Sequence, residues 1–300
     1  MTTDRHIRFA QALPLLLLLT ISACQSRTSG SGENGDAPPL PYRLDTPGNS
    51  FKLAPELREI SGLSMAPGGR SLITLNDEEG VVYYLDPATG AVENSRAFEG
   101  KGDFEGIEAA GGDIYAVKSN GTLYRIPESG AVEKYPTRLN GDNNVEGLCY
   151  DAAHNRLLLA CKGKPGKNGE YPGKKAVYAF DLATRTLNDV PVYLIDAGEI
   201  MRRKNSSTGF AEKLHEAFDA GFSPSGLAFN PLDSNLYVIA SAGKALAVLG
   251  PGGGVVRVES LELPHFRQPE GICFDSAGNL FISSEGGKHE GRIFRFSPVK

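Results

Sequence analysis

Apolar residues along this chain occur in short runs that are separated by turn-forming glycine, proline, asparagine and aspartate residues. In the first clear example, four such runs alternate with turns at residues 62–65, 71–75, 81–85 and 91–98. Runs of this length between tight turns predict β-strands and not helices. We therefore expect this stretch to form one antiparallel unit of four strands.

A short motif repeats along the chain and marks the start of each such unit. It places a polar residue before a glycine and an aliphatic residue, and it occurs as Ser61-Gly62-Leu63, Glu105-Gly106-Ile107, Glu146-Gly147-Leu148, Ser225-Gly226-Leu227 and Glu270-Gly271-Ile272. Successive glycines are 44, 41, 79 and 45 residues apart. A period of about 40 to 45 residues with four strands per repeat is typical of β-propeller blades.

The step of 79 residues raises the question of a hidden extra blade. Its first part already supplies four predicted strands, at 147–150, 156–161, 176–181 and 190–195. After these, Ala211, Leu214 and Phe218 recur at helical spacing. We therefore predict one blade followed by a short helical insertion at about 197–223. Five blades are the preferred number, and six are the alternative.

The last repeat contains only three predicted strands, at 271–274, 280–283 and 292–296. Residues 42–53 precede the first repeat and can supply the missing fourth strand. Pairing of an N-terminal strand with the last blade would close the ring. The prediction is thus an all-β propeller of five four-stranded blades that occupies residues 42–300 as a single domain.

The first 23 residues have the character of an export signal. Arg5 and Arg8 precede an apolar run centred on residues 15–19, which is too short to span a membrane as a helix. The run ends at Ile21-Ser22-Ala23-Cys24, which resembles the lipobox of bacterial lipoproteins. An ordinary cleaved signal with a chance cysteine is the alternative. Residues 24–41 are rich in serine, glycine and proline and are predicted to form a flexible tether.

The lipobox resemblance implies where the mature protein is found. It implies cleavage before Cys24, a lipid on that cysteine as the membrane anchor, and no transmembrane span. Gln25 follows in place of aspartate, which resembles the outer-membrane sorting choice of Gram-negative lipoproteins. We expect an envelope protein, lipid-anchored at the outer membrane, whose membrane contact is through Cys24 alone.

Charge and cysteine content narrow the range of functions. The formal net charge is −5 and no basic stripe is present, which argues against nucleic acid as a partner. Beyond Cys24 the chain has Cys149, Cys161 and Cys273, an odd number for a disulfide framework. These three cysteines are predicted to be buried small apolar residues.

Propeller geometry would bring the polar residues of the motif together. The first residues of the innermost strands converge at one mouth of the central channel, so Ser61, Glu105, Glu146, Ser225 and Glu270 are predicted to form a ring around the axis. The second strands return to the same mouth and place Asp77, Glu285, Lys118 and Lys162 further out. In the alternative interpretation, the glutamates only start a strand and bond to neighbouring backbone.

Three carboxylates near one axis repel one another and suggest a bound cation. Ca²⁺ takes six to eight oxygen ligands in adaptable geometry. Histidine and cysteine are missing from the ring, which argues against zinc or copper. The sequence therefore predicts a Ca²⁺ site formed by the five ring residues.

Several segments resemble a known family of exported β-propeller proteins. They read EISGL, LNDEEGVVYYLD, DFEGI, EGLCYD, PSGLAFNP and QPEGICFD. Together they resemble the SdiA-regulated family over roughly residues 50–297. This resemblance implies a fold more than a function.

The order Ser, Glu, Glu, Ser, Glu in the ring is also similar to that of the calcium-activated nucleotidases, or apyrases. That resemblance implies five blades, a central Ca²⁺ held by the five ring residues, and hydrolysis of nucleoside di- and triphosphates. This chain departs from those enzymes in the basic residues expected around the phosphates. Its loop at 162–175 is basic and rich in glycine but has no arginine.

Two classes of function follow. In the first, a calcium-centred lipoprotein binds a small molecule or an envelope protein at the channel mouth, with Lys118, Lys162 and Glu285 contacting the ligand. In the alternative, a calcium-dependent phosphohydrolase uses Asp77 or Glu78 as base and Lys118 or Lys162 to offset phosphate charge. Ester or lactone hydrolysis is a related option. Sequence alone leaves open whether the protein is an enzyme.

Overall fold

The computed structural model describes Met1 and residues 39–166, 170–208 and 221–299. These residues form short strands, one α-helix (α1, Ala197–Thr208) and a 3-10 turn at Pro55–Leu57. The strands are β1 (Asn49–Lys52), β2 (Ile60–Met65), β3 (Leu72–Asn76), β4 (Glu79–Leu85), β5 (Val92–Lys101), β6 (Phe104–Ala110), β7 (Asp113–Lys118), β8 (Leu123–Ile126), β9 (Glu133–Tyr135), β10 (Val145–Asp151), β11 (Arg156–Cys161), β12 (Lys174–Asp181), β13 (Thr186–Leu187), β14 (Tyr193–Asp196), β15 (Ser223–Phe229), β16 (Leu236–Ala242), β17 (Ala245–Leu249), β18 (Val255–Ser260), β19 (Pro269–Phe274), β20 (Leu280–Ser284) and β21 (Arg292–Phe296).

The strands form five antiparallel sheets that are the blades of a propeller. Blade 1 has the order β2-β3-β4-β5, blade 2 β6-β7-β8-β9, blade 4 β15-β16-β17-β18 and blade 5 β19-β20-β21-β1. In blade 3, strands β10, β11 and β12 are followed by β13 and β14, which both pair with β12. The fourth strand predicted at 190–195 corresponds to β14, and β13 is a further short strand that precedes the predicted range. The five-bladed, all-β prediction is confirmed.

Strand β1 closes the ring as predicted. It pairs antiparallel with β21, from Asn49 opposite Arg295 to Lys52 opposite Arg292. The chain before it is also held, because the Tyr42 hydroxyl donates to the carbonyl oxygen of Gly278 at 2.7 Å. The last blade is thus completed by residues from the other end of the domain, and this hides an edge strand that would otherwise be exposed.

The core lies between the blades. Inner strands such as β10 are buried along almost their whole length, and their aliphatic residues pack against the adjacent blade. Ile107 of blade 2, for example, shares a cluster with Leu75 and Val82 of blade 1. Continuous apolar runs are expected for strands that are covered on both faces. This packing fixes the inner strands around the axis, where the candidate site lies.

Helix α1 accounts for the long step between the third and fourth repeats. The Asp196 carboxylate accepts a hydrogen bond from the Glu199 backbone at 2.8 Å and so caps the start of the helix. The helix packs on the outer strands of blade 4, and the Lys204 ammonium donates to the Gly243 carbonyl at 2.6 Å. The helical insertion is confirmed for 197–208, whereas residues 209–220 lie outside the described part of the chain.

The predicted export signal and Cys24 lie outside the described residues, as does most of the predicted tether. Among the residues that are described, no helix is long and apolar enough to cross a membrane.

Candidate functional site at the axial mouth

Each repeated motif lies at a β-bulge in the innermost strand of its blade. In blade 2, Phe104 pairs with Lys118 and Gly106 with Val117, so Glu105 is left out of the ladder. The same irregularity surrounds Glu146, Ser225 and Glu270. In blade 1 the extra residue is Gly62, at φ 70°. A bulge re-aims the side chain that it carries, so the polar residues are held at the start of the inner strands.

The glycine of each motif is required by the crowding of five strands around one axis. A Cβ on Gly106 would lie 2.9 Å from the Leu148 Cβ of the next blade. One on Gly271 would lie 2.7 Å from the carbonyl carbon of Gly62, across the closure of the ring. Each glycine thus faces the same motif in the next blade. Close packing between neighbouring blades therefore requires glycine in each motif, whether or not a ligand is bound.

A small cavity lies on the axis at this level. Its volume is about 10 Å³, which is close to the minimum that holds one water molecule. Its polar side chains are Glu146, Ser225 and Glu270, and glycines and aliphatic residues from all five motifs complete the lining. The cavity is therefore of the size of a single water molecule or a single ion.

The two ring serines tie neighbouring blades together and keep acceptor capacity. The Ser225 hydroxyl donates to the Pro269 carbonyl at 2.7 Å. The Ser61 hydroxyl lies 3.1 Å from Glu105 Oε2 and 3.2 Å from the Glu105 carbonyl oxygen, and it can donate to either. Because a hydroxyl that donates its proton retains its lone pairs, both oxygens remain able to coordinate a cation.

Glu146 has the most hydrogen-bond partners of the ring carboxylates. Its Oε1 accepts from Asn144 Nδ2 at 2.8 Å and from Lys162 Nζ at 3.1 Å. The predicted ligand-binding residue Lys162 is therefore at the mouth, in an ion pair with the ring. Its single positive charge offsets only one of the three carboxylates.

The ring carboxyls are perturbed in the direction expected of crowded, desolvated acids. Burial, followed by the charge of Glu146, raises the pKa of Glu105 to about 9. Burial, again followed by Glu146, raises the pKa of Glu270 to about 8. Burial also raises the pKa of Glu146 itself, against the lowering effect of Lys162. Without a further cation, the ring therefore favours protonation of its carboxyls.

Two more predicted residues, Asp77 and Glu285, lie at the same mouth. Burial, followed by the charges of Glu59 and Glu78, raises the pKa of Asp77. Burial, followed by Asp77, raises the pKa of Glu285 to about 7. The buried Asp77 Oδ1 has no hydrogen-bond partner among the described residues. This side of the mouth is thus acidic, whereas on the blade 3 side the charge of Lys162 is paired with that of Glu146.

The structure does not bring Lys118 and Glu78 into the ring. The Lys118 ammonium lies 4.6 Å from the centre of the Phe104 ring in a cation–π contact. In the described part of the chain, it forms no ion pair with a ring residue. Glu78 is exposed, and its backbone carbonyl accepts a bond from Gly102. The predicted partners of a phosphate or of a nucleophilic water are therefore only partly assembled.

The ring fits a hard cation by donor type, but its side chains do not enclose one as they stand. Carboxylate and hydroxyl oxygens are the ligands that Ca²⁺ prefers. Among the described residues, however, no three acidic, histidine or cysteine side chains lie close enough together to hold a metal ion. Binding of Ca²⁺ would need rotation of ring carboxylates, with backbone oxygens or waters completing the coordination.

Sequence reasoning missed a second tier of repeat positions, two residues after each glycine. These positions are Ser64, Glu108, Cys149, Ala228 and Cys273. Glu108 accepts hydrogen bonds from the Ser64 hydroxyl of blade 1 and from the Ala109 backbone. Burial raises its pKa to about 7. The alignment of the repeats already contained this signal, because all five residues occupy one column.

The three cysteines of the domain are free and buried, as predicted. Burial raises the pKa of the Cys149 and Cys273 thiols, which makes them poor nucleophiles. Cys149 and Cys273 therefore pack within the second tier and provide no reactive thiolate.

Solved structures show that the fold is shared widely. A luciferin-regenerating enzyme is 13% identical, with a TM-score of 0.51, and the match covers 85% of this chain and 96% of that chain. Regucalcin from Agrobacterium tumefaciens, a calcium-binding protein, is 13% identical with a TM-score of 0.49, over 86% and 96% of the two chains. At these identities the first match shows the fold alone, and the second carries no inference. No curated protein sequence matches the chain.

The family comparison covers most of the chain. The model of the SdiA-regulated family matches residues 47–288, which include all five repeated motifs and the strand that closes the ring. This chain therefore belongs to the SdiA-regulated family.

Proposed function

We propose that this protein is an envelope lipoprotein whose propeller holds a Ca²⁺ ion at the axial mouth and binds a ligand or partner there. The observation that carries the proposal is an axial cavity of about 10 Å³ whose polar side chains are those of Glu146, Ser225 and Glu270. The proposed ring adds Ser61 and Glu105, which occupy the same repeat position in blades 1 and 2. The ring consists of Ser61, Glu105, Glu146, Ser225 and Glu270.

Charge balance supports a cation in this place. Three ionised carboxylates would leave two negative charges after Lys162 is counted, which is the charge that one Ca²⁺ ion offsets. Burial, followed by the charge of Glu146, raises the pKa of Glu105 and of Glu270, and a bound cation would favour their ionised forms. Calcium suits the ring better than Mg²⁺ because it accepts six to eight oxygen ligands in irregular geometry, whereas Mg²⁺ demands near-ideal octahedral coordination.

Binding is favoured over hydrolysis at this mouth. Lys162 is already paired with Glu146, Lys118 is held over Phe104, and Glu78 is exposed. Asp77 remains as a candidate base with an unpaired buried oxygen. No observation favours a phosphohydrolase or an ester or lactone hydrolase over a binding protein. The occupant would be a small molecule or an envelope protein that supplies oxygen ligands to the ion.

The anchor belongs to the same proposal and rests on the residues around Cys24. A lipid on this cysteine, followed by the tether to residue 41, would hold the propeller at the outer membrane. Mass spectrometry of the mature N-terminus tests this directly, since an unmodified N-terminus at any other residue would contradict it.

Thermal unfolding and calorimetry with the metal alone test the calcium site. We expect Ca²⁺ to raise the melting temperature of the EDTA-treated protein, because a ligand that binds only the native state stabilises it by mass action. The variant Glu270→Gln removes one ring charge and should weaken Ca²⁺ binding by about tenfold or more. Glu93→Gln, at an exposed position of β5, is the matched control and should bind like the unaltered protein.

Two results would count against the calcium site. If Ca²⁺ and EDTA give the same melting curve and calorimetry shows no binding heat, the ring is structural. If Ca²⁺ binds but Glu270→Gln binds equally well, the ion lies elsewhere in the protein.

A further inference from the structure

A second cavity, of about 210 Å³, opens between blades 2 and 3. It lies at the opposite end of the propeller from the axial mouth. Its lining includes Ala110, the last residue of β6, and Asp113, the first residue of β7. Both residues lie at the end of their strand that is remote from Glu105. We call this cavity the blade 2–3 cleft. Nothing in the axial site explains it.

The outer strands on both sides of the cleft are short. Strand β9 of blade 2 has three residues and β13 of blade 3 has two, whereas β5 of blade 1 has ten. Both strands pair with residues of the cleft lining, β9 with Arg125 and β13 with Phe180, and a gap remains between the two blades. The side chains of Tyr115, Tyr135 and two arginines line this gap.

The cleft is lined by two guanidinium groups that take part in a network of ion pairs. Arg125, Arg185 and Asp113 line the cleft. Arg125 Nε donates to Asp113 Oδ2 at 2.6 Å, and its Nη1 donates to Glu133. Glu133 lies outside the lining and also accepts from Arg185 Nη1 at 3.1 Å. Two guanidinium groups are thus balanced by two carboxylates, that of Asp113 in the lining and that of Glu133 beside it.

Both guanidinium groups are held in place and still have donors available. Arginine carries five N–H donors, and the hydrogen bonds within the described residues engage two from Arg125 and one from Arg185. The Arg185 guanidinium also lies 5.7 Å from the centre of the Tyr135 ring. Side chains that are already positioned lose less entropy when a ligand binds.

The remaining wall of the cleft is apolar, and two turn residues with left-handed backbone conformation lie at its rim. Phe180 and Leu182 supply the apolar wall. Two lining residues that are not glycine, Asn155 and Arg185, have φ values of 48° and 58° in the left-handed region. Gly90 and Ser234 have the same conformation in the corresponding turns of blades 1 and 4, so it belongs to the repeated hairpins. The Arg185 backbone is held there by a bond of 2.8 Å to the Asp181 carbonyl.

We propose that the blade 2–3 cleft binds a small organic anion, namely a single carboxylate attached to an apolar or aromatic group. The planar guanidinium of Arg185, with that of Arg125 behind it, matches a carboxylate in shape and charge. The apolar wall accommodates the rest of the ligand. A volume of 210 Å³ equals that of about seven water molecules, which is room for one ring and its carboxylate. This site does not depend on Ca²⁺ at the axial mouth.

Calorimetry with benzoate as the probe, in the presence of EDTA, tests this proposal. We expect benzoate to bind at one site and neutral benzamide to bind at least about tenfold more weakly, since an ionic hydrogen bond is lost. Arg185→Gln should weaken benzoate binding by a similar factor. Arg96→Gln is the matched control, because Arg96 bonds to the Pro127 carbonyl outside the cleft. It should bind benzoate normally.

Asn155→Asp provides a second variant that preserves shape. Aspartate tolerates the left-handed backbone as asparagine does, so this change adds one negative charge to the cleft without enlarging it. It should abolish benzoate binding while leaving the melting temperature nearly unchanged. The proposal is overturned if benzoate does not bind, if benzamide binds equally well, or if Asn155→Asp retains full affinity.

Discussion

Glu108 shows most clearly how the centre of the propeller changes the behaviour of one side chain. Its carboxyl group bridges blades, with a hydrogen bond from Ser64 of blade 1 and another from its own neighbour Ala109. Burial raises its pKa to about 7, far above the value of an exposed glutamate. The ionised form is therefore disfavoured in the native state, although local hydrogen bonds partly compensate for the lost hydration.

The pH dependence of stability should reveal this group. Because its pKa rises from about 4.5 in the unfolded chain to about 7 on folding, the native state binds the proton more tightly. The contribution of Glu108 to the unfolding free energy is complete below pH 4.5 and is lost as the pH rises through 7. Glu108→Gln mimics the protonated form, so at pH 8 it should exceed the unaltered protein in unfolding free energy by about 1–3 kcal/mol. The difference should vanish near pH 4.5.

Urea unfolding at several pH values measures this difference. Other buried carboxyls at the mouth give the unaltered protein a slope of the same sign, so only the difference between the two proteins is informative. A constant difference from pH 5 to pH 8 would show that Glu108 does not titrate in this range.

At the scale of single elements, the inner strands explain why glycine recurs in the motif. Each strand carries a bulge and then a glycine that touches the next blade, and the sequence of contacts runs around the whole ring. Gly271 is the most constrained of these, because its neighbours are the Ser283 hydroxyl, the Gly62 backbone and the Leu63 Cβ, all between 2.6 and 2.7 Å from an added Cβ. Backbone atoms cannot move aside as the end of a flexible side chain can.

Substitution of this glycine should loosen the closure of the ring. We expect Gly271→Ala to lower the unfolding free energy by about 1–3 kcal/mol, as overpacking does in a filled core. Gly100→Ala in β5 is the matched control, since an added Cβ there meets no atom within 4 Å. Equal melting temperatures for the two variants would mean that the blades can separate without cost.

At the scale of the whole molecule, stability depends on joining the two ends of the domain. Strand β1 fills the fourth position of blade 5, and it brings Phe51 and the following Leu53 into the core beside Phe281 and Ile293 of that blade. Without β1, the edge of β21 and this apolar surface would face solvent. Each buried aliphatic or aromatic side chain stabilises the fold by about 1.5–3 kcal/mol, against a total of 5–15 kcal/mol.

Truncation tests this closure. A chain that begins at Pro39 keeps β1 and should unfold cooperatively, whereas a chain that begins at Ala54 should lose the cooperative transition or aggregate. Circular dichroism melting and size-exclusion chromatography would distinguish the two. Matching melting curves for both chains would show that β1 is dispensable.

Much of the fold could be predicted because it repeats. The period of the motif and the length of the apolar runs indicated five four-stranded blades, the closing strand and the helix that begins at Ala197. The boundaries were less predictable where hydrogen bonding departs from regularity. Blade 3 has the further short strand β13 beside β14, since both pair with β12, and no local pattern announces it.

The candidate site was predictable in its members but not in its geometry. Repeat position alone identified Ser61, Glu105, Glu146, Ser225 and Glu270 as neighbours of the axis. It could not show that Lys118 would turn to Phe104 or that Lys162 would pair with Glu146, because side-chain direction depends on what packs nearby. The blade 2–3 cleft left no periodic signal, since its lining residues come from turns and outer strands that differ between blades.

From the sequence alone, the period predicts four-stranded blades, with five preferred over six, and the motif predicts the polar residues of the ring, because both depend on local patterns that recur in every repeat. Only the tertiary structure decided how closely the five strands approach the axis, and therefore why each motif needs glycine and how far burial shifts each carboxyl. Those properties depend on distances between blades, which are set by the closing of the ring as a whole.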